Sequence, residues 1–461
     1  MNNFLFSTVS DVLSGPGTSE QLGELAAGLG IGRALLVTDP GIIQFGLLDA
    51  AADSLKAHAI DYHIYSDVVA DPPESVVMDA VTSAQQFACD GVIGFGGGSS
   101  MDVAKLLAVL IKGEQALGDI YGVDQITGGR LPLIQVPTTA GTGSEATMVS
   151  IITTGETTKA GVVSRSLLAD KIILDASLTT GLPPAVTAAT GIDAMVHAIE
   201  AFTSKRLKNP VSDMLAREAL RLMAANIETA TLQGDNLEAR SAMLLGAMLA
   251  GQAFANAPVA AVHALAYPLG GNYHIPHGLS NSLVLPHVLR FNAPWAGELY
   301  AELAAIILPD QELPQDPVAA AEILADYFLA LAEKLGLQTR LEQMNIAKTD
   351  LPMLAEEAIL QQRLLINNPR EVSLDDALTI YQEQNRADLA QKEIEEIAVI
   401  EKFLPAQLDE AAIKEIVAQI IATVGATGPQ DLGKVMGVAS KQLAGQADGK
   451  AVAAAVKAAL G

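Results

Sequence analysis

Between Ile31 and Asp175, short apolar, β-branched runs alternate with amphipathic stretches, the pattern of parallel strands joined by helical crossovers. It predicts strands at Ala34–Thr38, Tyr62–Tyr65, Gly91–Phe95, Leu133–Val136, Val149–Thr153 and Lys171–Leu174. Most of these runs are too continuously apolar to have one wet face, so helices must cover the sheet on both sides. A doubly wound, Rossmann-like α/β domain is therefore expected over residues 1–182. After Pro183–Pro184 the strand pattern stops, and segments rich in Ala, Leu, Met and Glu carry apolar residues at three- and four-residue spacing. Helices are expected at Ala185–Thr203, Asn209–Thr231 and Asn236–Ala257, within an all-helical domain over 183–384. The stretch Gln382–Pro405 reads as a linker helix. Beyond it a small all-α module is expected over 385–461, broken at Gly425–Pro429 and at the turn-rich Gly445–Lys450.

Composition narrows the function. The 461 residues are 50% hydrophobic and 18% charged, a globular balance, and 28 Lys and Arg against 53 Asp and Glu leave a net charge of −25. That charge disfavours nucleic acid as the default partner. The single cysteine, Cys89, excludes an intramolecular disulfide and any thiolate-rich metal site built from one chain. The N-terminus lacks a basic leader, and the apolar run Ala242–Ala261 is interrupted by Gly, Gln, Asn and Pro. A cytoplasmic protein with no membrane partner is expected.

Two constellations carry chemistry. Residues 94–102 read GFGGGSSMD, directly after the strand at Gly91–Phe95 and before a helix expected from Met101. Glycine lets the backbone approach a phosphate, and the free N–H groups of a helix start favour an anion. The run also fits a plain strand-to-helix turn, and its spacing is not GxGxxG. Asp39, at the end of the strand Ala34–Thr38, could accept hydrogen bonds from a ribose diol and would repel a 2′-phosphate, favouring NAD over NADP. By itself it reads as an ordinary turn residue or helix cap, and only the conjunction with the glycine run carries weight. The segment PTTAGTGSE after Leu133–Val136 adds the neutral donors Thr138, Thr139, Thr142 and Ser144 at the same sheet edge.

The second constellation lies in the helical region. In GIDAMVHAIE, Asp193 and His197 are four residues apart and share a helix face. His263 follows in VHALAYPLG and His277 in HIPHG. One carboxylate oxygen and three imidazoles suit Fe²⁺ or Zn²⁺ and leave coordination positions open. Taken singly, each residue also has an ordinary reading as an ion pair, core histidine or cap. His58, His63 and His287 have no comparable company.

In this order and at these separations, GGGSSMD, PTTAGTGSE, GIDAMVHAIE and HALAYPLGGNYHIPHG, with NNPRE at Asn367–Glu371, resemble the iron-containing (group III) alcohol dehydrogenase family over about residues 1–384. The resemblance implies an NAD-binding α/β domain and a helical domain holding one divalent metal, usually Fe²⁺ and sometimes Zn²⁺. It also implies hydride transfer between a small primary alcohol or aldehyde and NAD(H). Carried over by motif, Asp193, His197, His263 and His277 are the metal ligands. Gly97, Gly98, Ser99 and Asp102 form the pyrophosphate loop, Thr138, Thr139, Thr142 and Lys159 line the rest of the cofactor cleft, and Asp39 reads the adenosine ribose.

One position departs from the family pattern. Several members carry histidine four residues after the third ligand, where this chain has Tyr267. A phenol, with an ordinary pKa of about 10, accepts protons poorly at neutral pH, so Tyr267 and His274 are both candidates for a proton route. The tail resembles the GatB/YqeY-type domain of tRNA-dependent amidotransferases. With eight Lys and Arg against ten Asp and Glu over 385–461, the tail has no basic surplus, so tRNA binding does not follow from the resemblance. Two other readings stand beside the dehydrogenase: an NAD-using, metal-dependent lyase of related architecture, and a tRNA-associated binding protein. A homodimer or larger assembly is common among look-alikes.

Overall fold

The computed structural model describes residues 3–155, 158–384, 410–443 and 449–460. They fall into two compact units, 1–385 and 386–461. The first unit opens with a six-stranded, all-parallel sheet: β1 (Asp11–Ser14), β2 (Arg33–Val37), β3 (Asp61–Tyr65), β4 (Gly91–Gly96), β6 (Leu133–Pro137) and β9 (Lys171–Leu174), in the order β1-β9-β6-β4-β2-β3. Alternate residues serve opposite faces. Ala34, Leu36, Ile93, Phe95, Ile134 and Ile173 pack with α1 (Leu22–Gly28) and α3 (Asp49–Ala57). Leu35, Val37, Val92, Leu133 and Ile172 pack with α4 (Glu74–Phe87) and α5 (Gly98–Lys112). This is the doubly wound, Rossmann-like arrangement that the continuous apolar runs imply.

The topology locates a binding crevice. From β2 the chain steps outward to β3, then crosses back to β4 on the other side of β2. The strand order therefore reverses between β2 and β4, where Val37 pairs with Gly94. Ligands of open α/β sheets bind beyond the carboxyl ends of the strands at such a reversal, and here the two emerging segments are Asp39 and Gly96–Gly98.

Two strand assignments differ from the sequence pattern. The run at Val149–Thr153 forms β7 (Val149–Thr154), but it pairs antiparallel with β8 (Thr158–Val163) and not within the main sheet; β8 also pairs with the short β5 (Gly122–Val123). Its burial alternates along the strand, as suits a ribbon with one wet face. The sixth place in the main sheet goes to β1, a polar, largely exposed edge strand with no apolar run to announce it.

The remainder of the first unit is helical: α6 (Pro184–Thr203), α7 (Pro210–Leu232), α8 (Leu237–Asn256), α9 (Ala261–Tyr273), α10 (His277–Ile307), α11 (Pro317–Lys334), α12 (Leu351–Ile359), α13 (Gln362–Leu365) and α14 (Leu374–Glu383). From Gly191 to Thr203 every residue of α6 is buried, which makes it the central helix of the domain. Among the described residues no single helix is long and apolar enough to cross a membrane. In the second unit, helices Glu410–Val424, Leu432–Gln442 and Gly449–Leu460 share a core of Ile413, Val417, Ile420, Val435, Ala439 and Val456. The break at GATGP separates the first two. The linker helix expected at Gln382–Pro405 lies almost wholly outside the described residues, as does most of Gly445–Lys450.

Candidate metal centre and active-site cleft

Asp193, His197, His263 and His277 come together, each offering one ligand atom, with all four atoms within 4.8 Å of one another. Asp193 and His197 are successive turns of α6. His263 sits in the first turn of α9, and His277 is the first residue of α10. His197 stacks between Phe254 at 4.4 Å and His263 at 4.7 Å between ring centroids. Burial pushes its imidazole down to about 3 and lowers that of His277 as well, so both are neutral and offer lone pairs, as metal ligands must. Burial alone would raise the Asp193 carboxyl, but the three imidazoles and the Asn281 amide outweigh it and hold the group ionised.

Two residues that sequence reading passed over complete the centre. Glu200 is 4% exposed. One of its oxygens accepts the Val262 N–H at 2.7 Å, supplying the cap that Ala260 cannot give to α9. The other pairs with His263 Nδ1 at 2.6 Å. A proton held on Nδ1 by this carboxylate leaves the Nε2 lone pair facing the centre. The second residue, Asn281, lies one turn after His277. Its amide nitrogen stands 2.6 Å from Asp193 Oδ1, 3.2 Å from His277 Nε2 and 3.3 Å from His263 Nε2. Three electron pairs thus converge on one point, where a donor N–H sits in the protein alone. That geometry fits a dication, and the donor set of one oxygen and three nitrogens fits Fe²⁺ or Zn²⁺. Glu200→Gln should weaken metal binding by about 10- to 100-fold while leaving the four ligands in place, as anaerobic competition with a chelator would measure.

The glycine run forms the second half of the site. Helix α5 begins at Gly98, earlier than expected, and its N-cap Gly97 brings no side chain to the first N–H groups. Gly96 has φ +150°, and a Cβ there would meet Ser100 Oγ at 2.9 Å and Asp39 Oδ2 at 3.3 Å. Glycine is therefore required where β2 and β4 part. Asp39 caps α2 (Pro40–Gln44) through Oδ1, which accepts from Gly41 and Ile42, while Oδ2 lies toward Gly96. Thr138 donates its backbone N–H to Gly96 O at 3.0 Å, and Thr139 and Thr142 flank Gly97 and Gly98. Both oxygens of Asp102 are engaged, with Ser144 Oγ and with the Ile151 N–H. The buried Lys105 ammonium donates to Ser144, Thr147 and the Val149 carbonyl. Asp102 and Lys105 thereby fasten the PTTAGTGSE segment and β7 to the start of α5.

One cleft of about 1300 Å³ joins the two halves, with Gly98, Ser99, Thr142 and Lys159 at one end and His197, His263 and His277 at the other. Tyr267 also lines it, its ring 6.1 Å from that of His277. Burial raises the Tyr267 phenol, and the Arg363 guanidinium beside it offsets part of that rise. His274 is not among the residues lining the cleft. It is an exposed residue ending α9 at φ 54°.

Comparison with known proteins agrees with this geometry. A family model described as iron-containing alcohol dehydrogenase matches residues 10–176. The model of the Fe-containing alcohol dehydrogenase family, C-terminal, matches 187–385, and that of Yqey-like protein matches 337–460. A sulfoacetaldehyde reductase of Bilophila wadsworthia is 36% identical over 379 residues, 82% of this chain and 98% of that one. The crystal structure of a 1,3-propanediol oxidoreductase superposes with a TM-score of 0.80 at 34% identity, covering 83% of this chain and 100% of the other. That of the sulfoacetaldehyde reductase from Bifidobacterium kashiwanohense, in complex with NAD⁺, gives 0.75 at 28% identity, covering 84% and 100%. The fold and centre are those of a metal-dependent oxidoreductase. The chain belongs to the iron-containing alcohol dehydrogenase family and carries in addition a YqeY-like C-terminal region.

Proposed function

We propose that the protein interconverts a short primary alcohol and its aldehyde with NAD⁺ and NADH. The observation that carries this reading is the single cleft joining the glycine loop at the sheet reversal to the Asp193, His197, His263 and His277 cluster. When bound, the metal supplies Lewis-acid polarisation of the substrate oxygen, and the nicotinamide accepts or gives the hydride.

The chain's own residues prepare the rest. The uncapped N–H groups at the start of α5 receive a pyrophosphate, and Asp39 Oδ2 accepts from a ribose diol. Thr142 and Lys159 line the path to the metal end, the lysine oriented by its ion pair with Asp71, while Thr138 and Thr139 stand behind the glycine loop. Tyr267, raised by burial, keeps its proton on Oη at neutral pH and acts as a hydrogen-bond donor, not a base. His274 carries no step from its exposed position. The test is NADH formation by anaerobically prepared, Fe²⁺-loaded protein given short primary alcohols. Turnover that stops on chelation and returns with Fe²⁺ supports the reading; silence with every alcohol and aldehyde refutes it.

Asp39→Asn keeps the helix cap and removes the charge. It should shift the NAD⁺ to NADP⁺ preference toward NADP⁺ by about tenfold, the worth of one charge-assisted hydrogen bond, as the ratio of kcat/KM values reads. The tail's near-neutral charge supports a role outside catalysis. The chain ended at Gln384 should turn over like the full chain, and neither should shift tRNA in a gel at physiological salt.

A further inference from the structure

The cations along the cleft are not equivalent. Lys159 is paired with Asp71 and Lys208 with Asp213, whereas Arg165, Lys205, Arg206 and Arg363 line the cleft with no carboxylate within 4.0 Å among the described residues. Of these four, Arg363, on α13, is the one whose guanidinium lies beside Tyr267. Its guanidinium is held between two other elements of the cleft. On one side lies Gly161 of β8, where a Cβ would stand only 3.9 Å from Arg363 Cζ. On the other lies the phenol of Tyr267 on α9, whose ring is 6.1 Å from that of the metal ligand His277. An uncompensated cation therefore sits one aromatic ring away from the metal centre, in a chain whose net charge is −25. In so acidic a protein, an unpaired arginine at this point makes a local positive field that an uncharged alcohol would not use. The planar fork of guanidinium N–H groups matches a carboxylate or sulfonate through two parallel hydrogen bonds.

We propose that Arg363 is the specificity-determining residue of the cleft and receives the anionic end, carboxylate or sulfonate, of a short aldehyde whose carbonyl lies at the metal end. Gly161 leaves the room for the guanidinium, and Tyr267 supports it from the other side. The inference rests on the dehydrogenase reading above and goes beyond it by naming the substrate class.

The experiment measures reduction of sulfoacetaldehyde, succinic semialdehyde, propanal and butanal by the Fe²⁺-loaded full chain with NADH, for wild type, Arg363→Gln and Arg363→Lys. The expected result is a higher kcat/KM for the anionic aldehydes than for the uncharged ones in the wild type. In Arg363→Gln the anionic-to-uncharged ratio should fall by about 10- to 100-fold, mostly through KM, with Arg363→Lys intermediate. Which of the two anionic aldehydes leads distinguishes sulfonate from carboxylate. Ethanesulfonate, which has the anionic end and no carbonyl, should bind the wild type and lose affinity in Arg363→Gln when followed by calorimetry. Uncharged aldehydes turned over with no anionic preference, or a ratio unmoved by Arg363→Gln, would overturn the assignment while leaving the dehydrogenase reading intact. Failure with every aldehyde would overturn both.

Discussion

His263→Ala should lower kcat/KM by about 10³-fold or more and strip the chain of its metal while leaving NAD⁺ affinity nearly unchanged. The size follows from the several kcal/mol that Lewis-acid polarisation contributes, each 1.36 kcal/mol being about tenfold in rate. Of the four clustered residues, His263 is the one whose loss should reach furthest, because the alanine also leaves the Glu200 carboxylate buried without its imidazole partner. Removing one partner of a buried, hydrogen-bonded charge costs about 3–5 kcal/mol, so a lower melting temperature should accompany the loss of metal. NAD⁺ affinity should survive because the contacts proposed for it lie at the ends of β2, β4 and β6, on another part of the fold. Metal analysis, NADH fluorescence titration and thermal melting of the same preparation read the three effects separately. Full turnover by His263→Ala at saturating Fe²⁺ would remove His263 from the centre.

Gly278→Ala should be nearly as damaging, although the residue has no functional group. Helix α10 begins against the backbone of α6: a Cβ on Gly278 would stand 2.4 Å from Ala189 O, 2.8 Å from Ala189 C and 3.3 Å from Asp193 Cβ. Two of these atoms are backbone, so no rotamer change relieves the clash and the helices must separate. Overpacking of this kind costs about 1–3 kcal/mol. The functional cost is larger, because His277 and Asn281 ride on the displaced turn while Asp193 stays on α6. The expected outcome is a folded protein with metal affinity reduced by orders of magnitude. Gly270→Ala on α9 is the matched control. The nearest atom to its Cβ would be Ile275 O at 3.5 Å, ordinary contact, and alanine is the better helix former. Chelator competition on both variants tests the argument, and equal metal affinity in the two would contradict it.

These positions also mark how far the sequence could be read. The four-residue cluster was legible because Asp193 and His197 share a helix face and His263 and His277 stand in motifs that resemble the family's. The glycine loop was legible because a glycine run between an apolar strand and a helix has few physical uses. Glu200 stood inside the same quoted motif, three residues after His197, and its role became visible only when α9 brought an uncapped N-terminus and a histidine ring to it. Asn281 had an available signal, the one-turn spacing from His277, but asparagine in a helix has many ordinary reasons to exist. Arg363 had none, since only the packing of α13 against β8 and α9 brings it into the cleft. The misplaced strand β7 has a similar cause: Val149–Thr154 carries strand propensity, whereas its pairing partner Thr158–Val163 is half polar and did not read as a strand. His274, a candidate only because Tyr267 stands where several family members have histidine, is exposed at the left-handed end of α9 and does not line the cleft.

Every catalytic role assigned above depends on the metal. The most direct measurement is an anaerobic titration of metal-free full chain with Fe²⁺, following bound iron and NAD⁺-dependent alcohol oxidation in the same samples. No turnover is expected without metal, with activity rising in proportion to bound Fe²⁺ and both saturating at one ion per chain. Full turnover by the metal-free chain would contradict that dependence.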